Sequence, residues 1–340
     1  MSALEAPLLE GRGHLRLDAP IAGAATVAGP FEGQGPLGAL FDSVVPDELL
    51  GEASYERTER RLMRDAVEIL LHREGIGRAE VDLLVAGDLL DQIATTNFAA
   101  RDVGIPLLGL YSACATTAES LLVAALAVTA GAARRAVAAT ASHHRAAERQ
   151  YRFPLELGVQ RTPTAQWTAT GAGAFLVGLG RRPPARIVAA TVGRVQDYGL
   201  KDPANMGVAM APAAADTILR HLRARGQTSS DYDLILTGDL ARMGSPLLEE
   251  LLGEEREHPG TRLQDAGVLL YDPGQDVHAG GSGAACSALV FGGLVLPQLA
   301  RGELRRALLV ATGSLHSPTS YQQGETIPAI AHAIEVEATT

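Results

Sequence analysis

Apolar and polar positions follow one plan along this chain, and the plan occurs twice. In Asp65 to Leu89, DAVEILLHREGIGRAEVDLLVAGDL, apolar residues recur at helical spacing, stop at a glycine, and resume as a short apolar run ending in Gly-Asp. Asp216 to Leu240, DTILRHLRARGQTSSDYDLILTGDL, aligns to it without a gap. Asp65 matches Asp216, Leu71 matches Leu222, Gly75 matches Gly226, and Asp82-Leu83 matches Asp233-Leu234. Gly87-Asp88-Leu89 then matches Gly238-Asp239-Leu240. Each copy predicts a helix, a glycine near its C-cap and a short buried strand.

The correspondence resumes further on. Ala113-Cys114-Ala115 opens an apolar helix that ends near Gly131, followed by the strand-like Arg134 to Thr140. Ala284-Ala285-Cys286 opens a second such helix, followed by Arg305 to Thr312. Strand, helix, strand in the same order twice predicts a duplicated α/β body with two βαβ-rich sheets. Its halves are expected at 1–195 and 196–340, with the two small-residue helices packed between the sheets. Ala279 to Ala300 is uncharged and long enough to span a bilayer. Gly280, Gly281, Gly283 and Pro297, and its likeness to Tyr111 to Ala133 with Glu119, favour a buried core helix. No transmembrane segment is expected. Ala22 to Asp42 is a glycine-rich opening segment. Ser142 to Thr170, containing HHRAAERQYRFP, is a long excursion of the kind that is functional or meets another subunit.

Composition adds three limits. Of 340 residues, 46% are hydrophobic and 20% charged, enough for a large core and too apolar for disorder. The formal charge of −10 argues against nucleic acid and against broad adhesion to anionic lipid. The N-terminus has no basic segment followed by an apolar run, so no signal peptide is expected. With Cys114 and Cys286 as its two cysteines, the chain carries no disulfide framework; a reducing cytosol is the simplest reading, and one bridge remains compatible with the count.

Cys114 sits where an apolar strand, Ile105 to Leu110, passes into the helix that starts near Thr116. A thiol at a helix N-terminus loses its proton more easily, which suits a nucleophile. A small buried hydrophobe is the alternative. The order of strand, Ser112-Ala113-Cys114-Ala115-Thr116-Thr117, long helix, strand and Gly171 to Val177 (GAGAFLV) resembles the thiolase superfamily, nearest to the ketoacyl-acyl-carrier-protein synthases III. FEGQGPLGALFD, VAGDLLDQ, SHHRAAERQYRFP, NMGVAMAPAAADTI, LTGDL, AGGSGAACSA and ATGSLHSP resemble the stage V sporulation protein AD family, from about Gly29 to Glu337. That resemblance implies a thiolase-like αβαβα five-layer fold, dipicolinic acid binding, and service in loading that acid into the developing spore.

The departures from a synthase decide the expected chemistry. A synthase pairs its cysteine with a histidine and an asparagine from the second half. The histidine would fall in Gly238-Asp239-Leu240-Ala241, and the second partner in Ala279 to Gly283, here Ala-Gly-Gly-Ser-Gly. Without them no general base or oxyanion donor is apparent, so no catalytic residue is assigned. His278 and His316 lie near these places but out of register, and read better as polar residues at strand ends.

The candidate ligand-binding set is Cys114, His143, Arg149, Asp88, Asp239, Gly281, Ser282 and Lys201. A small planar dianion calls for guanidinium and backbone N–H donors, and Arg149 is the preferred carboxylate contact; Glu148, Arg149 and Arg152 equally suit a solvated or intersubunit charge network. Asp88 and Asp239 order the pocket or meet calcium, or cap the following helices. Lys201, the chain's one lysine, stands in GLKDP, which also reads as an exposed turn. Trp167 and the tyrosines suit stacking on a pyridine ring or plain packing. No EF-hand-like oxygen cluster is present, so calcium is expected only as the chelate of the ligand; no cofactor or protein-held metal is expected.

The expectation is therefore a homodimeric, non-catalytic binding protein for dipicolinic acid or calcium dipicolinate. Its partners would be the membrane channel proteins of the spore, and its place the cytoplasmic face of the spore inner membrane, peripherally. The dimer is expected to pair through Arg135 to Ala141. A cysteine-dependent acyltransferase and a ligand-free scaffold subunit are the alternatives.

Overall fold

The computed structural model describes residues 9–152 and 160–339. Its strands are β1 (Leu9–Gly11), β2 (His14–Ala28), β3 (Ser43–Val44), β4 (Leu83–Gly87), β5 (Leu107–Gly109), β6 (Arg135–Ser142), β7 (Trp167–Thr168) and β8 (Gly171–Gly178). The second half adds β9 (Ala185–Thr191), β10 (Leu234–Thr237), β11 (Leu263–Asp265), β12 (Gly281–Ser282), β13 (Arg306–Ser314) and β14 (Ala329–Ala338). The strand order β11-β10-β13-β14-β9-β2-β8-β6-β4-β5 is a palindrome of the repeat. β2, β8, β6, β4 and β5 on one side have β9, β14, β13, β10 and β11 as counterparts on the other.

The two halves do not carry separate sheets, as the sequence led one to expect. β2 is long enough to serve both: its N-terminal part, His14 to Ile21, pairs with β9, and its C-terminal part, Ile21 to Ala28, pairs with β8. Register shifts between Arg16 and Ala19 and between Ile21 and Gly23 accompany the change of partner. β9, which falls within 1–195, also pairs with β14, so the second half's sheet begins before residue 196.

Helices complete five layers. Tyr55–Glu74 and Ala94–Val103 cover the outer face of the first half-sheet, where Leu62, Val67 and Leu70 pack on Leu84, Ala139 and Leu176. Met206–Arg225 and Ala241–Glu254 cover the second, with Met210, Ile218 and Leu248 against Ile235, Leu308 and Val310. Between the half-sheets lie the two cysteine helices, Thr116–Thr129 and Ala284–Val290, the latter continuing through a wider turn to Ala300. Alanine along both lets them approach closely. Thr117 Oγ1 donates to the Ala284 carbonyl (2.8 Å), and Ala285 N–H donates to Ser142 Oγ (3.1 Å), tying the middle layer across the halves.

The local repeat is kept down to single bonds. Gly75 (φ +66°) and Gly226 (φ +62°) end their helices in the left-handed conformation. Asp82 accepts the N–H groups of Arg134 and Arg135, and Asp233 those of Arg305 and Arg306, at 2.7 and 3.0 Å in both copies. Arg135 to Ala141 cannot be a pairing edge, because β6 is hydrogen-bonded on both sides, to β4 and β8. Among the described residues, the ends of this strand order, β5 and β11, are unpaired on their outer sides. Among the described residues, no helix is long and apolar enough to cross a membrane.

Candidate functional site

The apolar strand β5 delivers the chain to Ser112, and a tight turn, Ala113–Ala115, sets Cys114 before the helix Thr116–Thr129. Ala113 adopts φ +49°, a conformation that costs a non-glycine residue about 1 kcal/mol or more. Thr116 Oγ1 braces the turn by accepting from Ser112 N–H (3.1 Å) and donating to the Ala113 carbonyl (2.7 Å). The thiol comes to rest at the floor of a cavity of about 270 Å³.

Two second-half loops meet it there. Cys114 Sγ lies 3.6 Å from Ser282 Oγ, and Ser282 Oγ donates to Asp239 Oδ2 at 2.8 Å. Thr312 Oγ1 donates to the other carboxylate oxygen at 2.7 Å, and Gly283 N–H lies 3.3 Å from Oδ2. The second-half segments Gly238 to Ala241 and Ala279 to Gly283 thus converge on the cysteine through Asp239 and Ser282. Burial first, then the charge of Asp239, pushes the Cys114 thiol well above its ordinary pKa. Of the two readings of this cysteine, activated nucleophile and small buried hydrophobe, the raised pKa favours the second, with burial the larger cause and the carboxylate the next. Asp239 is fully buried and is itself raised by burial.

Asp88 and Asp239, equivalent in sequence, part company here. Asp88 accepts Leu90 N–H (2.8 Å) and both N–H and Oγ1 of Thr96 (2.7 and 2.6 Å), holding the first turn of Ala94–Val103. In the second half that duty passes to Asp265, which accepts the N–H groups of Leu240 (2.8 Å) and Ala241 (3.0 Å). Asp239 is thereby free to face Ser282 and the thiol.

The cavity walls come from the excursion (Ala147, Glu148, Tyr151, Arg152, Gln160, Arg161 and Thr162), from Pro203 to Met206, and from Ser314, His316 and Tyr321. Arg161 is the decisive group. Its side chain is 10% exposed, Nη2 is anchored to the Asp276 carbonyl (2.8 Å) and Oδ2 (2.9 Å), and its guanidinium lies 5.0 Å from the Trp167 ring. Nη1 is buried and has no hydrogen-bond partner among the described residues. Arg152 supplies a second cation, 3.6 Å from Glu148. Tyr151, His316 and Tyr321 form an aromatic side, with ring centroids 5.6 and 6.1 Å apart. Burial lowers the His316 pKa to about 4, so it is a neutral wall at physiological pH.

Of the candidate set, Cys114 and Ser282 line the cavity and Asp239 stands behind them. The others lie elsewhere. Arg149, the preferred carboxylate contact, is half exposed and pairs with Glu56 on the surface. His143 caps His144–Tyr151, accepting Arg145 N–H on Nδ1 (3.1 Å) and donating from Nε2 to the Glu48 carbonyl (2.9 Å). Lys201 donates to the exposed Gly324 carbonyl (2.7 Å). Gly281 faces Tyr271 and Cys286, where an added Cβ would meet atoms at 2.8 and 3.2 Å. Asp88 is the helix cap just described. Helical spacing explains the placement of Arg149: one face of His144–Tyr151 turns to the cavity with Ala147, Glu148 and Tyr151, and Arg149 is on the opposite face. Arg161 went unread because its local context, Gln160-Arg161-Thr162, carries no motif. No group of three or more His, Cys, Asp or Glu side chains among the described residues is arranged to hold a metal ion.

Duplicated half-sheets, a middle layer of two cysteine helices and a cysteine at a strained strand-to-helix turn define a thiolase-type body. Solved structures agree on the fold: human mitochondrial 3-ketoacyl-CoA thiolase in complex with CoA matches with TM-score 0.60 at 16% identity, covering 97% of this chain and all of that one. The tetronic acid condensing enzyme AbyA1 (TM-score 0.59, 18% identity, 94% and 100% covered) and 3-oxoacyl-[acyl-carrier-protein] synthase III from Aquifex aeolicus (0.55, 11%, 94% and 99%) are also similar. The sequence model for Stage V sporulation protein AD (SpoVAD) matches residues 13–337, and the chain belongs to that family. It is 48% identical over 316 residues to Stage V sporulation protein AD of Bacillus subtilis (strain 168), covering 92% of this chain and 93% of the relative.

Proposed function

We propose that this sporulation protein binds dipicolinate, or its calcium chelate, in the cavity over Cys114 and supports its uptake into the developing spore without catalysing a reaction. The observation that carries this reading is the division of charge within the cavity. Its floor holds a thiol kept protonated by burial and by Asp239, whereas its wall holds Arg161, whose buried Nη1 has no partner among the described residues, and Arg152. A condensing enzyme needs the reverse, a thiolate and a base at the floor. A planar dianion suits the wall, because its carboxylates take guanidinium donors and its ring takes the aromatic side. By family resemblance the partners are the spore's membrane channel proteins, with this chain peripheral at the cytoplasmic face of the inner membrane. A homodimer is proposed through the free edge of β5, in place of the β6 pairing that the topology forbids.

The test is calorimetry of the purified protein with dipicolinate, calcium dipicolinate and malonyl-CoA, run beside labelling with radioactive acyl-CoA. Dipicolinate should bind, and picolinate at least about tenfold more weakly, since a buried donor left unpaired costs about 1–3 kcal/mol. Arg161→Ala should erase most of that preference, Arg149→Ala and Arg301→Ala little of it, and Cys114 should take no acyl label. Acyl turnover that vanishes in Cys114→Ala would establish the enzyme alternative instead. A folded sample that binds neither ligand would leave the scaffold reading.

A further inference from the structure

His278 sits beside the cavity wall with a left-handed backbone, φ +53°. Its ring reaches two groups: Nδ1 is 2.6 Å from the Thr162 carbonyl, and Nε2 is 3.1 Å from Asp276 Oδ1. Both neighbours are acceptors. A neutral imidazole carries one N–H, so only the imidazolium can donate to both at once. The other oxygen of Asp276 holds Arg161 Nη2, and so does its carbonyl. Arg161 and Thr162 are adjacent in sequence and both line the cavity. The contacts form a closed circuit: Thr162 carbonyl, His278, Asp276, Arg161, and back through one peptide bond.

We propose that Asp276 and His278 are positioning residues that brace Arg161 against the cavity, and that this brace is complete only when His278 is an imidazolium. The inference rests on the anion-binding reading of the cavity and adds its regulation. A guanidinium fixed through Nη2 presents Nη1 in one direction, which is the pre-organisation a carboxylate site needs. When His278 loses its proton, one of its two contacts fails. Either Asp276 then loses its hold on Oδ1 or the loop at Thr162 loses its tie to His278. Ligand affinity therefore falls when the second N–H of the ring is lost.

Among the described residues, His278 meets Asp276 at its ring and Arg242 at its carbonyl, to which Arg242 Nη1 donates at 3.0 Å, while Arg161 reaches it through Asp276. Glu148 and Arg152 face the same cavity from the excursion. The other imidazoles nearby do not compete for the role. Burial lowers the pKa of His144 to about 3 and of His316 to about 4, so both stay neutral at physiological pH. Glu32 titrates near neutrality, with a pKa of about 7, and for that reason the test turns on a substitution and not on the wild-type profile alone.

The test uses the full-length protein and dipicolinate as probe. Titrations at about pH 6 and about pH 8.5 bracket the imidazole range while the probe's carboxylates stay ionised. Binding is followed by calorimetry and by the emission of Trp167, the chain's single tryptophan, which stacks on His144 at 3.5 Å and lies beside Arg161. The wild type should bind about threefold to tenfold more weakly at the higher pH, a modest change because Asp276 is 77% exposed. His278→Gln should give a flat profile near the high-pH affinity of the wild type. Asp276→Asn, a change at an exposed position that leaves the core untouched, should weaken binding at the lower pH and flatten the profile too. A His278→Gln protein that keeps the wild-type pH dependence overturns the brace, as does wild-type binding that is equal at both pH values. Absence of binding by the wild type at either pH overturns the brace and the anion-binding reading together, which separates the two failures.

Discussion

Glu32 is fully buried, with Oε1 accepting from Tyr271 Oη (2.6 Å) and Thr170 N–H (3.0 Å) and Oε2 without a partner among the described residues. Burial raises its pKa from 4.5 to about 7. The folded chain thus keeps a proton that the unfolded chain has released above pH 4.5. The associated stability is complete below that pH and is lost as pH rises through 7. Urea unfolding at about pH 5 and about pH 8 should show a fall to which Glu32 contributes up to about 3 kcal/mol. Glu32→Gln, which keeps the acceptor and cannot ionise, should reduce that fall; an unchanged pH dependence would mean that Glu32 is ionised in the folded protein at both pH values. Asp265, raised to about 6 by burial, contributes in the same direction and remains in the variant.

At the scale of elements, the two helix-ending glycines were legible because a φ near +65° is a local demand that glycine meets with the least strain. Gly226 isolates the point, since an added Cβ there would meet nothing within 4 Å. Gly226→Ala should cost about 1 kcal/mol in unfolding free energy through backbone strain alone, with unchanged ligand affinity. A cost below about 0.3 kcal/mol would show that the C-cap relaxes. The cysteine turn was legible to the same extent: strand, turn and helix were read at Ile105 to Thr116, and they are found there. What those elements do to the thiol was not legible. Its proton is held by burial and, second, by Asp239, 125 positions away in sequence, whose freedom to face it depends on Asp265 taking over the helix cap.

For the whole molecule, the continuous sheet leaves β5 as an exposed edge, flanked by Leu108 (44% exposed), Phe98 (51%) and Tyr111 (44%). An apolar edge strand is a pairing hazard unless covered. A second copy pairing through the same strand about a two-fold axis would cover it symmetrically. Light scattering at micromolar concentration should report a dimer, and Leu108→Asp should weaken it at least about tenfold while leaving the fold intact by circular dichroism. A monomeric wild type, or a variant that dimerises as well as the wild type, would rule out this edge. The sequence by itself determined the duplication, the strand and helix order and the helix ends, because these depend on periodicity and on backbone demands within a few residues. It also carried the family likeness that the comparisons bear out. Tertiary structure alone decided that one strand, β2, serves both half-sheets, that Arg135 to Ala141 is interior, and that Arg161 and not Arg149 lines the cavity over Cys114. Edge or interior, cavity or solvent, and thiol or thiolate are each settled by groups far apart in the chain, and only the fold sets the distances between them.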